Sequence, residues 1–272
     1  MINKNFDISD KVCVITGGSG VLGSTIAKYL LENKAKVVIL GSNKNRINDA
    51  LNNLFLNNED VLGFVCDVLD KQKVEEVCKT ILNHWGKVDV LLNAAGGNMP
   101  GATISDEQTI FDIELDEFQK VTDLNLNGTL IPSLVFGKVM KENGKGLIIN
   151  YSSMAAFKTI TRVVGYSASK AAVTNLTKWM ATEFALKFGD KLRVNAIAPG
   201  FFIGNQNRKL LLNDDGSLTD RGDKIIANTP MKRFGEPEEL NGVIHWLISD
   251  AASFVTGAVI PVDGGFNVFS GV

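Results

Sequence analysis

The sequence predicts one α/β domain built on a doubly wound parallel sheet, and three observations predict it. Seven short β-branched runs alternate with long amphipathic segments of helical period. The runs are nearly continuous in apolar residues, as strands are when helices cover both faces of a parallel sheet. The first run passes through a glycine-rich turn directly into a helical pattern.

Strands are expected at 11–16, 36–40, 61–66, 88–93, 146–151, 192–197 and 258–262, with helices at 22–33, 43–57, 70–85, 115–142, 164–188 and 236–249. Asp70 suits the N-cap of the third helix, where a short acidic side chain can accept from first-turn N–H groups. Glu236, Pro237, Glu238 and Glu239 open the last helix, with Pro in the first turn and acids at the positive dipole end. Repeated strand–helix–strand units imply right-handed crossovers. No linker, repeat or low-complexity tract divides residues 1–272, so a single domain is expected. From 201 to 230 the alternation gives way to an Asn-, Asp- and Gly-rich stretch. It follows a strand, on the edge where such sheets bind ligands, and a long substrate lid is expected there.

Composition narrows the function class. A chain of 272 residues buries about 75% of its unfolded surface, enough for a large core. The net charge is -2 and no basic block stands out, which argues against a nucleic-acid partner. Cys13, Cys66 and Cys78 form an odd set without a CxxC, and read as free thiols in a reducing compartment. No signal-type stretch and no run of roughly 20 apolar residues occurs, so a cytoplasmic protein without a membrane span is expected. His84 and His245 stand beside Trp85 and Trp246 with no further ligand near either, and are expected to pack rather than bind metal.

Thr16 to Gly23 reads TGGSGVLG, in which Gly18, Gly20 and Gly23 match GxGxxG. Glycines permit a tight turn and let backbone N–H groups approach a pyrophosphate at a helix N-terminus. A nucleotide site is expected here. After the second strand, Gly41, Ser42, Asn43 and Lys44 supply neither a carboxylate for an NAD ribose nor an adjacent Arg for an NADP phosphate. Ser42 and Asn43 could bind either ribose, and Lys44 or Arg46 could meet a phosphate or face solvent. Asp67 could accept from an adenine amino group, or cap a turn. The small residues Ala94, Ala95 and Gly96 leave room for a ribose, and Asn93 can brace neighbouring strands.

Tyr166 and Lys170 are four apart in a helical pattern and share one face. A free phenol, with a pKa of about 10, is a poor base at neutral pH. A nearby ammonium and a positive nicotinamide ring favour the phenolate, so the pair could exchange a proton with a substrate hydroxyl.

In this order, TGGSGVLG, Asn93-Ala94-Ala95-Gly96, Asn125 in LNLNG, Ser153 in NYSS, Tyr166 with Lys170 in YSASK, and Pro199-Gly200 resemble the short-chain dehydrogenase/reductase family from about residue 11 to the C-terminus. The resemblance implies a Rossmann-type seven-stranded parallel sheet between helix layers. It implies Tyr166 as the acid/base, Lys170 as the group that lowers its pKa and holds the ribose, and Ser153 as the group orienting the substrate oxygen. Asn125 would hold a water linking Lys170 to solvent. Nucleotide contacts are then expected from Gly17, Ser19, Gly20, Leu22 and Gly23 in the loop, and from Ser42, Asn43, Asp67 and Val68 at the adenosine end. Asn93, Ala94, Ala95, Gly96, Tyr166, Lys170, Pro199 and Gly200 complete the expected set. One departure stands out: the family's commoner loop, TGxxxGxG, would place a glycine at Val21, whereas here it is at Gly20.

Several stretches resemble a narrower branch, the D-mannonate oxidoreductases or fructuronate reductases, which interconvert D-fructuronate and D-mannonate. They are Gly96-Gly97-Asn98-Met99-Pro100, Ser152-Ser153-Met154, Thr161-Arg162-Val163, Gly200-Phe201-Phe202 with Gln206-Asn207-Arg208, and the ending from Pro261. A polyhydroxy acid calls for many hydrogen bonds and a cation. Asn98, Gln206 and Asn207 could meet hydroxyls, and Arg162 or Arg208 could clamp the carboxylate through paired N–H donors. The branch favours NAD slightly, although no acid follows the second strand, and the family suggests a homotetramer. The rivals are the same chemistry on 5-keto-gluconate, and a non-catalytic nucleotide sensor on this fold. The intact set Asn125, Ser153, Tyr166 and Lys170 argues against a sensor.

Overall fold

Side chains along the strands alternate with the two-residue period of extended chain and divide the core between two helix layers. The computed structural model describes residues 4–54, 59–204 and 207–271. Its strands are β1 (Val12–Thr16), β2 (Lys36–Gly41), β3 (Val61–Val65), β4 (Val90–Asn93), β5 (Gly146–Tyr151), β6 (Leu192–Pro199) and β7 (Val259–Val262). They form one seven-stranded parallel sheet in the order β3-β2-β1-β4-β5-β6-β7. The helices are α1 (Val21–Glu32), α2 (Lys44–Leu54), α3 (Lys71–Trp85), α4 (Leu115–Thr122), α5 (Gly128–Asn143), α6 (Val164–Phe188), α7 (Arg208–Leu211), α8 (Asp220–Ala227) and α9 (Asn241–Ile248). The end of the second expected helix, 55–57, lies outside the described residues.

Cys13 and Ile15 of β1, Val37 and Ile39 of β2, and Leu147 and Ile149 of β5 pack with α1, α2 and α9. The alternate residues Val12, Val14, Val38, Leu40 and Ile148 pack with α3, α5 and α6. Both faces are covered, which is why the strands read as continuous apolar runs. The three cysteines are free and buried, and burial pushes the Cys13 thiol up to about 12. Asp70 caps α3, accepting from the Lys73 N–H at 3.0 Å. Among the described residues, no helix is long and apolar enough to cross a membrane.

Three segments depart from expectation. The helix expected over 115–142 is interrupted by a π-helical turn, Asp123–Asn127, between α4 and α5. Pro132 inside α5 has no N–H for the Gly128 carbonyl and crowds it. The Thr129 and Ser133 hydroxyls bond back to the Asn125 and Thr129 carbonyls at 2.8 and 2.7 Å. Both effects loosen the α-helical ladder, and a π turn results. At the last helix, Pro237–Leu240 is a 3-10 turn closed by reciprocal bonds between Glu236 and Glu239, so α9 starts only at Asn241. The segment 201–230 is not a plain loop. It holds α7, an antiparallel bridge between Leu212 and Leu218, and α8 capped by Thr219 through the Gly222 N–H at 3.1 Å.

Between β1 and β4 the strand order reverses, which opens a crevice at the carboxyl ends of the sheet. The expected nucleotide and proton-transfer residues come from strand ends and helix starts around that crevice.

Candidate active site

The glycine loop is shaped by backbone demands. Gly17 adopts φ +66, a left-handed conformation that costs side-chain-bearing residues about 1 kcal/mol or more. The Gly18 N–H donates to the Leu40 carbonyl at 3.1 Å, and the Gly20 N–H to Gly17 at 3.0 Å. A Cβ on Gly23 would strike the Gly17 carbonyl and lie 2.8 Å from Gly18 Cα. Helix α1 begins beyond Gly20 with no side chain capping it, so its first-turn donors and positive dipole end face the crevice. A pyrophosphate fits this cradle.

Thr16 ties the loop to the next strand end: its hydroxyl accepts from the Ala95 N–H at 3.1 Å. Asn93 is fully buried and braces the sheet, donating to Ser133 Oγ and Asn150 Oδ1, each at 2.9 Å. Asn150 passes the bracing on to Thr177 of α6 at 2.9 Å. At the adenosine end the expected side chains have local duties. Asn43 caps α2 by accepting from the Arg46 N–H at 3.0 Å. Asp67 accepts from the Leu69 N–H at 2.9 Å, the turn-cap alternative, while Ser42 is exposed and Val68 is buried against the Gly128 backbone. Pro199 is buried at the end of β6, and the Gly200 N–H donates to Val262 at 2.9 Å.

Four residues expected at the proton-transfer site converge. Tyr166 and Lys170 lie near the start of α6, Ser153 follows β5, and Asn125 sits in the π turn. Ser153 and the Tyr166 hydroxyl share a hydrogen bond, and Ser153 also accepts from the Ala155 N–H at 3.2 Å. The Lys170 ammonium lies 5.6 Å from the Tyr166 ring centroid and donates to the Tyr151 carbonyl at 2.7 Å. A Cβ on Gly96 would lie 2.6 Å from Asn125 Oδ1 and 3.2 Å from Lys170 Nζ, so all three meet at one point. The Asn125 side chain spends both amide hydrogens on protein, donating to Gly97 O at 2.7 Å and Val121 O at 2.8 Å. Its Oδ1 accepts from the Gly97 N–H at 3.0 Å, so this amide braces the 94–97 stretch.

Electrostatics in the protein alone differ from expectation. Burial lowers Lys170 to about 8. Burial also raises the Tyr166 phenol, and the Ser153 hydrogen bond opposes that rise. The expected lowering by Lys170 does not show. The ammonium directs one of its three protons at a backbone carbonyl, and desolvation of the crowded phenolate is the larger influence.

The expected substrate side chains divide. Asn98 donates to Thr103 Oγ1 at 2.6 Å, and its buried Oδ1 has no hydrogen-bond partner among the described residues. Arg162 donates through Nε to the Ile104 carbonyl at 3.0 Å. Asn207 is taken up by its own turn, accepting from the Gly204 N–H and donating to Phe202 O, each at 2.8 Å. Arg208 is exposed at the start of α7, and Gln206 lies outside the described residues. Phe201 packs edge-on to Phe266 at 5.1 Å, and Phe202 is buried. His245 bridges the Tyr29 hydroxyl and the Phe6 carbonyl. Sequence reasoning missed the Tyr151 carbonyl, because a backbone acceptor leaves no mark in residue type. It also missed Arg221 of α8, which donates to Thr161 O and Oγ1 at 3.3 and 3.4 Å.

A family model described as enoyl-(acyl carrier protein) reductase matches residues 19–267. UxuB, an uncharacterized oxidoreductase of Bacillus subtilis, is 43% identical over 281 residues, spanning 100% of both chains. The 3alpha-hydroxysteroid dehydrogenase of Mediterraneibacter gnavus is 34% identical over 259 residues, covering 94% of this chain and 97% of that one. A crystal structure from Haemophilus influenza, of a protein provisionally identified as a D-mannonate oxidoreductase with bound NAD, aligns with TM-score 0.90 at 40% identity. It covers 99% of this chain and 100% of that chain.

Proposed function

We infer, because this chain belongs to the short-chain dehydrogenase/reductase family, that it moves hydride between NAD and a sugar acid, interconverting D-fructuronate and D-mannonate. The observation that carries the reading is the meeting of Ser153, Tyr166 and Lys170 beside the glycine loop at the carboxyl ends of the strands. The loop from Gly17 to Gly23 and the stretch from Asn93 to Gly96 would hold the dinucleotide, with Tyr166, Lys170, Pro199 and Gly200 at its nicotinamide end. When bound, the dinucleotide supplies or accepts the hydride.

The chain's own residues handle the proton. Burial keeps the Tyr166 phenol protonated at neutral pH, as an acid for ketone reduction must be. Ser153 donates to the substrate oxygen and holds it against Tyr166 Oη. As Oη releases its proton, the negative charge left on it faces Lys170, which at about 8 is still mostly ammonium at pH 7. In the oxidation direction the same oxygen takes the proton back.

A sugar acid suits the surroundings. Asn98 Oδ1, an acceptor without a partner among the described residues, would suit a sugar hydroxyl. The Haemophilus protein supports both NAD and mannonate as first choices. With this activity we propose a homotetramer, for which Leu134 of α5 and Trp179 and Leu186 of α6 offer large exposed apolar side chains.

The test is Tyr166→Phe, assayed with fructuronate and 5-keto-gluconate against NADH and NADPH. Turnover should fall about 10²- to 10⁴-fold, with dinucleotide binding by fluorescence kept within a few-fold. Undiminished turnover removes Tyr166 from the chemistry. No cofactor oxidation by wild type with fructuronate rejects that substrate.

A further inference from the structure

We propose that Arg162 and Arg221, from two different elements, form one anion point that receives the substrate carboxylate. The inference rests on the sugar-acid reading above and adds to it a residue from the 201–230 segment that sequence reasoning passed over.

Arg162 lies four residues before Tyr166, just ahead of α6, and adopts φ +77, a left-handed conformation uncommon for a side-chain-bearing residue. Such strain persists only where surroundings over-determine it. Here the backbone is pinned by a reciprocal pair: the Ile104 N–H donates to Arg162 O at 3.0 Å, and Arg162 Nε donates to Ile104 O at 3.0 Å. The guanidinium is therefore held by Nε alone. Its two terminal nitrogens make no hydrogen bond among the described residues.

Arg221 approaches from α8. Its terminal nitrogens meet Thr161, the residue next to Arg162, at 3.3 and 3.4 Å, at the long limit of hydrogen bonding. Arg221 is pushed below the usual guanidinium range by partial burial and by the charge of Arg162, while Asp106 acts in the opposite sense. Among the described residues, neither Arg has a carboxylate oxygen within 4.0 Å, although seven other ion pairs of that length exist. Two like charges are thus brought together with Asp106 near Arg221 but in contact with neither guanidinium, and an incoming anion would relieve the repulsion. Planar guanidinium forks match a carboxylate better than they match a hydroxyl.

Placement distinguishes this pair from Arg208, which stands exposed on α7. In D-fructuronate the carboxylate and the ketone are separated by several carbons. An anion point on the segment leading into α6, four residues ahead of Tyr166, suits that separation, and it links carboxylate capture to the seating of α8.

The experiment compares D-mannonate with its neutral amide, D-mannonamide. Both are titrated calorimetrically into the enzyme with NADH, which cannot oxidise them, for wild type, Arg162→Gln, Arg221→Gln and Arg221→Lys. Wild type should bind the acid at least about tenfold more tightly than the amide. Each Gln variant should weaken the acid about 10- to 100-fold, as loss of a charge-assisted bond does, and leave the affinities for the amide and NADH unchanged. Arg221→Lys should recover part of the loss. Because Arg162→Gln disturbs a strained backbone, Arg221→Gln on a helix is the deciding variant. Equal binding of acid and amide by wild type, or equal loss of both in Arg221→Gln, overturns the proposal. Turnover of fructuronate with no acid preference sinks the anion point alone. An Arg-dependent acid preference without ketone reduction sinks the activity alone, and absence of both overturns both.

Discussion

Replacing Gly23 and Gly20 separately by Ala tests whether the glycine loop is shaped for close backbone approach. A methyl at Gly23 meets only backbone: the Gly17 carbonyl oxygen, and Gly18 Cα at 2.8 Å. Ordinary carbon contacts fall at roughly 3.5–4.0 Å, so the loop must retreat by about 1 Å. Nothing flexible lies in the way to yield instead. Overpacking of this kind costs about 1–3 kcal/mol, a fall in Tm of roughly 2–10 °C at this size. The displaced atoms are those of the phosphate cradle, so dinucleotide affinity should fall tenfold or more. A methyl at Gly20 meets only the Gly17 oxygen at 3.3 Å, and Gly20 has an ordinary extended backbone at φ -84 and ψ 167. Its substitution should shift Tm by under about 2 °C and affinity by only a few-fold. NADH fluorescence titration and thermal melts read both. Gly20→Ala as harmful as Gly23→Ala would show that the departure from the commoner loop matters more than the space at Gly23.

Two other perturbations follow from burial and exposure. Lys170 holds its proton up to an ordinary 10.5 when unfolded but only to about 8 when native, so at neutral pH its burial opposes folding. That cost, about 3 kcal/mol for the shift, is fully present below pH 8 and fades between pH 8 and 10.5; the urea stability of Lys170→Met relative to wild type should therefore decline across that window, and a pH-independent difference refutes it. Trp179→Glu places a charge on the exposed apolar face of α6, where Trp179 is 62% and Leu186 78% accessible. Light scattering should show a tetramer reduced to smaller species, and an unchanged mass would exclude that face as an interface.

Much of the fold was legible because its causes are local. Strands covered on both faces are apolar along most of their length, and β1, β2, β4 and β5 read that way directly, with the buried polar exceptions Thr16, Asn93 and Asn150 at or next to their carboxyl ends. The turn at Gly17 needs a left-handed backbone, which leaves its mark as glycine. Tyr166 and Lys170 were legible as a pair from helical spacing, but their electrical state was not. It depends on burial and on the Tyr151 carbonyl, which is 19 residues from Lys170 and carries no side-chain signature. Pro132 was visible inside the expected helix, yet whether a proline kinks, ends or shifts a helix depends on what the neighbouring hydroxyls bond. Here Thr129 and Ser133 turn back on their own helix, and the resulting π turn aims the Asn125 amide at Gly97. Asn207 shows the converse limit, since an amide suited to a sugar hydroxyl is equally suited to a turn, and the turn was the nearer partner. Arg162 and Arg221 were illegible together for a topological reason. Their link runs through Thr161, 60 residues from Arg221, and only the packing of α8 beside the loop before α6 makes them neighbours. The parts of the site that depend on chain direction and backbone shape could thus be read along the sequence. The parts that would select a substrate arise where distant segments meet, and it is there that an otherwise shared nucleotide fold acquires its own preference.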